Sequence, residues 1–185
     1  MHPSALAKPK HLPFAGEEKC EVLYNVPMII LGIDPGFERL GIAVLEKNKG
    51  DKKERVLFSE CFKTSAKLEF AERLLLLGTQ VKKVIEAYKP EVLAIETLFL
   101  NTNQKTVMHV AEARGVVIYE AKQAGLKIFE SSPPQIKMAT TGSGSADKAQ
   151  VIKMVKMLVD IDENKKSDDE LDAIAVALTA FAYLR

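Results

Sequence analysis

Two short runs of this chain are almost free of polar side chains: Met28-Ile-Ile-Leu-Gly-Ile33 and Val92-Leu-Ala-Ile95. A strand that is apolar at consecutive positions buries both of its faces, so it belongs at the centre of a sheet with helices on each side. Each run also ends on an acid, Asp34 followed by Pro35-Gly36 and Glu96 followed by Thr97. Leu40–Leu45 and Arg55–Phe62 read as second and third strands around the lysine-rich turn Lys47–Lys53, making a meander with the first. Lys67–Tyr88 repeats Leu68, Ala71, Leu75, Val81, Val84 and Ile85 at helical spacing until Pro90 stops it. Strand Glu91–Glu96, a helix over 102–124 closed by Gly125, and strand Leu126–Phe129 follow. A short helix Pro133–Lys137, a loop Thr140–Ser145, and helices Ala146–Leu158 and Asp168–Leu184 complete the chain. The order predicts an α/β fold, a mixed five-stranded sheet flanked by helices on both faces.

At 185 residues, 47% hydrophobic and 28% charged, the chain holds one domain with a sizeable core and needs no disulfide framework to fold. Residues 28–185 are expected to form that domain. Residues 1–27, with four prolines and no apolar core of a signal peptide, are expected to be a disordered extension. Cys20 and Cys61 lie far apart with no C-x-x-C, which fits a reducing cytoplasm better than secretion or a zinc site. No apolar run reaches the roughly 20 residues that span a bilayer. The formal net charge is only +1, so a surface for polyanions must come from uneven distribution. The distribution is uneven: residues 101–158 carry eight Lys/Arg against four acids, a net +4, while 159–185 carry three against seven, a net −4.

The acids stand where acids are costly. Asp34 and Glu96 leave the carboxyl ends of apolar strands, the edge at which α/β sheets bind ligands. Taken singly, Asp34 also suits a turn start and Glu96 a core exit. In the last helix, Ser167-Asp168-Asp169-Glu170 matches a capping box, and first-turn acids favour the helix dipole. Asp172 escapes that explanation. It lies beyond the first turn of a helix otherwise uncharged until Arg185, and an ionised carboxylate on a buried helix needs a cation or several donors. Asp168 at i−4 and Asp169 at i−3 both lie close enough to share that cation, and the doublet leaves open which of the two does. Asp34, Glu96, Asp169 and Asp172 form an all-oxygen donor set, which suits Mg²⁺ or Mn²⁺. Two such ions activate water and stabilise the leaving oxygen of a phosphodiester. Gly142-Ser143-Gly144-Ser145 leads into a helix starting near Asp147-Lys148, where free backbone N–H groups and Lys148 can grip a phosphate. No Walker A or dinucleotide fingerprint occurs. Phe99, beside Asn101-Thr102-Asn103-Gln104, reads on composition as a buried staple rather than a base-unstacking wedge.

These residues resemble one family, the RuvC-type Holliday-junction resolvases of the ribonuclease-H-like superfamily. The resemblance rests on Ile-Leu-Gly-Ile-Asp-Pro-Gly (30–36), Ala-Ile-Glu (94–96) with Phe99 following, Ala-Arg-Gly (113–115), Gln-Ile-Lys (135–137), Gly-Ser-Gly-Ser-Ala-Asp-Lys-Ala-Gln-Val (142–151) and Asp-Glu-Leu-Asp-Ala-Ile-Ala-Val-Ala (169–177). It implies a ribonuclease-H-like sheet and hydrolysis of four-way DNA junctions in recombination and repair, with two Mg²⁺ ions per active site, for which Mn²⁺ substitutes, as cofactor. Asp34, Glu96, Asp169 and Asp172 are implied to be the catalytic metal-binding carboxylates, with Lys137 and Lys148 near the scissile phosphate. Phe99 becomes the aromatic entering the junction centre, and Arg114, Gly142 and Gly144 join Lys137 and Lys148 in contacting DNA. A homodimer nicking two strands symmetrically, served by a branch-migration motor, is implied as the working assembly. The chain departs from the family at Phe37-Glu38-Arg39-Leu40, where smaller or polar residues are common, at Glu170-Leu171, where two small residues are usual, and at Ala180, where many members have histidine. His109 is expected to be structural. A same-fold nuclease processing RNA and a junction-binding module without cleavage are the alternatives; the second predicts a broken carboxylate set, and all four positions are acidic.

Overall fold

A computed structural model describes residues 27–98, 104–159, 161 and 166–184. The expected extension over 1–27 therefore falls, apart from Pro27, outside the described residues, as does Phe99. The elements are β1 (Met28–Asp34), β2 (Arg39–Lys47), β3 (Arg55–Lys63), α1 (Phe70–Tyr88), β4 (Val92–Glu96), α2 (Gln104–Gln123), β5 (Lys127–Ser131), α3 (Pro133–Thr141), α4 (Lys148–Leu158) and α5 (Asp168–Tyr183). The sheet runs β3-β2-β1-β4-β5. The first three strands are the antiparallel meander, whereas β1, β4 and β5 are parallel.

Alternation along the strands divides the interior into two cores. Ile30, Ala43, Leu45, Val92 and Ala94 face α3, α4 and α5. Leu31, Ile33, Ile42, Val44, Leu93 and Ile95 face α1 and α2. Both central strands thus bury both faces, as their unbroken apolarity requires.

Two glycines set how closely α5 lies on the sheet. A side chain at Gly32 would overlap the carbonyl oxygen of Ala173, and one at Gly41 the carbonyl oxygen of Asp169. Only bare backbone on β1 and β2 lets the start of α5 settle onto the strand that ends in Asp34. The boundary that differs most from the sequence expectation is the end of α3, which continues past Lys137 to Thr141. Thr140 and Thr141, read as loop residues, instead return their hydroxyls to the carbonyls of Ile136 and Lys137, each at 2.8 Å. Gly142, at φ 77°, then ends the helix in the left-handed region.

Candidate active site

Ile33 pairs with Ile95 in the parallel register of β1 and β4, so Asp34 and Glu96 occupy the next position on neighbouring strands. Strand spacing places their backbones about 4.8 Å apart. Each lies two residues beyond a position facing α5, Gly32 and Ala94, and so projects to that same side. The first two turns of α5 bring Asp169 and Asp172 over them. Ser167 fixes the start of that helix: its hydroxyl accepts from the Glu170 N–H, and the Glu170 carboxylate accepts from the Ser167 N–H at 2.9 Å. Glu170 also receives the Ser59 hydroxyl at 2.9 Å and pairs with Lys166, which ties the helix start to β3.

The electrostatics of this cluster are unfavourable without a cation. Burial, followed by the charges of Asp172, Glu96 and Asp169, pushes the Asp34 carboxyl from 3.8 up to about 7, with only Lys148 opposing. Burial and then Asp172 raise Glu96. Asp172 is also raised, by burial first, although Lys148 draws it back. Lys148 Nζ lies 3.1 Å from Asp172 and 3.4 Å from Asp168. Burial works against its charge, but these two acids outweigh it and hold the ammonium above its ordinary value. Asp169 turns its Oδ2 outward, to the Arg39 guanidinium and to the Cys61 thiol at 3.3 Å.

Among the described residues, no three acidic, histidine or cysteine side chains already form a closed metal shell. Asp169 is drawn toward Arg39 and Asp172 toward Lys148, the cations that the chain itself supplies. The donor chemistry nevertheless fits a divalent ion. The cluster is all oxygen, it is partly buried, and the charges around Asp34 are mostly of its own sign.

Lys137 and Lys148 meet Glu96 and Asp172 around one cavity of about 220 Å³, floored by Ile136 and Val176. The helix that follows the loop from Gly142 to Ser145 caps its own start. Asp147 accepts from the Gln150 N–H at 2.8 Å, and Gln150 accepts from the Asp147 N–H at 2.9 Å, so the helix caps two of its own donors. Arg114 is turned inward. Its side chain is 16% exposed, pairs with Glu130 and donates from Nε to the Glu96 carbonyl at 3.1 Å. These contacts tie α2 to the end of β4 and to β5. His109 stacks on Phe70 at 4.0 Å, as a structural residue does. Ser131, opposite Glu96 in the register of β4 and β5, keeps a buried hydroxyl with no partner among the described residues.

Sequence reasoning did not find Arg39 or Cys61. Alternation from Gly41 puts Arg39 on the α5 face of β2, but Cys61 enters only through the pairing Gly41↔Cys61. That register is a tertiary fact.

Comparison with known proteins supports the same architecture. Residues 30–180 match the family model described as Crossover junction endodeoxyribonuclease RuvC. The protein of that name from Halothermothrix orenii is 42% identical over 151 residues, which are 82% of this chain and 90% of the relative. Thermus thermophilus RuvC, solved in complex with Holliday junction substrate, superposes with a TM-score of 0.80 at 34% identity, over 85% of this chain and 95% of that one. The yeast mitochondrial Holliday junction resolvase shares the fold at a TM-score of 0.62 and 16% identity, over 83% of this chain and 77% of that one. With a family match running from the middle of β1 almost to the end of α5, this chain belongs to the RuvC family of crossover junction endodeoxyribonucleases.

Proposed function

We propose that this chain is a Mg²⁺-dependent endonuclease that resolves four-way DNA junctions, with residues 28–185 as the nuclease domain. Asp34, Glu96, Asp169 and Asp172 are its metal-binding carboxylates. The observation that carries this reading is Asp34, pushed to about 7 by burial and three neighbouring acids. Such a group is costly to maintain unless a cation completes it. Family membership and the junction-bound relative supply the substrate class.

Asp34, Glu96, Asp169 and Asp172 would hold the Mg²⁺, two ions per protomer with Mn²⁺ as a substitute, which would supply Lewis acidity to the phosphoryl oxygens and to the attacking water. The chain's own residues do the positioning. Asp34 and Glu96 are held by rigid strand ends, and Arg114 fixes the backbone under Glu96. Lys148 exchanges Asp172 for the scissile phosphate, while Lys137 contacts that phosphate from the other side of the shared cavity. The glycines at 142 and 144 let the backbone approach DNA, and Phe99 enters the opened junction. A homodimer places two such sites against two strands for symmetric nicking and works beside a branch-migration motor.

The test compares cleavage of four-way DNA, plain duplex and RNA with and without Mg²⁺. Cleavage confined to the junction, and only with Mg²⁺, is expected. Equal cutting of duplex contradicts resolvase action, and preferential cutting of RNA favours an RNA-processing nuclease.

A further inference from the structure

Arg39 begins β2 and Lys63 ends β3, and the two are register partners. Cross-strand partners project to one face, so two cations stand side by side at the edge of the sheet, next to Asp169. Arg39 is 52% exposed at its side chain and spends its charge on Asp169. Lys63 is exposed, and no described acid pairs with it. Like charges directly opposite on a sheet repel unless an anion joins them.

The backbone beneath this pair is braced. Arg73, 7% exposed, donates to the Thr64 hydroxyl at 2.9 Å and to the Phe37 carbonyl at 3.2 Å. Thr64 in turn donates its hydroxyl to Phe37 at 2.6 Å and its N–H to Glu38 at 3.0 Å. The segment before Arg39 and the segment after Lys63 are therefore locked together. A fixed pair of cations is the arrangement that recognises a phosphate.

We propose that Arg39 and Lys63 form a DNA-phosphate site, and that Arg39 leaves Asp169 for the phosphate when a junction docks, freeing Asp169 for the divalent ion. The inference rests on Asp169 being a metal ligand. In the free protein Arg39 competes with the ion for one carboxylate; in the complex the phosphate removes the competitor. Junction and metal then strengthen each other's binding, as linkage requires. Arg39 acts through Asp169 and is a positioning residue.

The experiment uses the full chain. Junction binding is followed by anisotropy in EDTA over a range of salt, and Mn²⁺ binding to the DNA-free protein by calorimetry. Arg39→Gln and Lys63→Gln are each expected to weaken junction binding several-fold and to reduce the slope of log K against log salt by about one. Arg39→Gln is also expected to tighten Mn²⁺ binding about threefold or more, whereas Lys63→Gln, which does not touch Asp169, changes it by less than about twofold. Arg39→Lys keeps the charge and restores the salt slope. An unchanged slope in both glutamine variants, or weaker Mn²⁺ binding in Arg39→Gln, overturns the proposal. Asp169→Asn separates the two claims. If it leaves Mn²⁺ binding unaltered, the ligand assignment itself fails; if it weakens binding while Arg39→Gln alters nothing, only the exchange fails.

Discussion

Asp34 sits at the end of a strand whose preceding residues are buried, beneath a helix that brings two further acids toward it. Its carboxyl titrates near 7 in the fold against 3.8 ordinarily, so the folded state binds this proton more tightly than the unfolded chain does. The sign follows. In metal-free protein this contribution to stability is fully present below about pH 4 and is lost as pH rises through about 7. That difference corresponds to at most about 4 kcal/mol. Asp34→Asn is therefore expected to raise the metal-free Tm at pH 8 but hardly at pH 4, while lowering cleavage by about 10³-fold or more and sparing junction binding. Thermal melts at the two pH values check this, and a variant less stable at pH 8 contradicts it. At this scale the sequence was informative wherever an acid interrupts an apolar run, as Asp34, Glu96 and Asp172 do. It was uninformative about Arg39 and Cys61, whose contact with Asp169 depends on strands that the chain pairs across long separations.

The strand-to-helix packing of β1, β2 and α5 turns separate acids into one site. Gly32 and Gly41 are the elements' points of closest approach, and neither tolerates a Cβ without moving the α5 backbone. Gly32→Ala is predicted to destabilise the protein by about 2–3 kcal/mol in urea unfolding, and to reduce cleavage beyond what that loss explains at temperatures where the variant remains folded. Unaltered stability would mean that α5 is not held as described. The order of elements was legible because strand and helix periods differ along the chain. The length of α3 was not, since Thr140 and Thr141 look like loop residues until their hydroxyls are seen bonded to the preceding turn. Nor was the inward set of Arg114 legible; a lone arginine beside a glycine gives no sign that its guanidinium will meet Glu130 and the Glu96 carbonyl.

Across the whole molecule, a near-neutral net charge of +1 conceals opposed local fields. Lys137, Lys148, Arg39 and Lys63 border the acidic centre, from helices on one side and the meander edge on the other. Cations bring the polyanion close, and the carboxylates hold the ions that act on it. No helix among the described residues is long and apolar enough to cross a membrane. The α/β class, the mixed sheet and the helices on both faces followed from the sequence because each central strand must be covered twice. The central claim is that four carboxylates from β1, β4 and α5 share divalent ions, and anomalous diffraction from crystals soaked in Mn²⁺ tests it most directly. Mn²⁺ peaks are expected within about 2.1–2.3 Å of oxygens of Asp34 and of at least two of Glu96, Asp169 and Asp172. Peaks bound elsewhere, with Asp172 still on Lys148 and Asp169 still on Arg39 at saturating Mn²⁺, would contradict it.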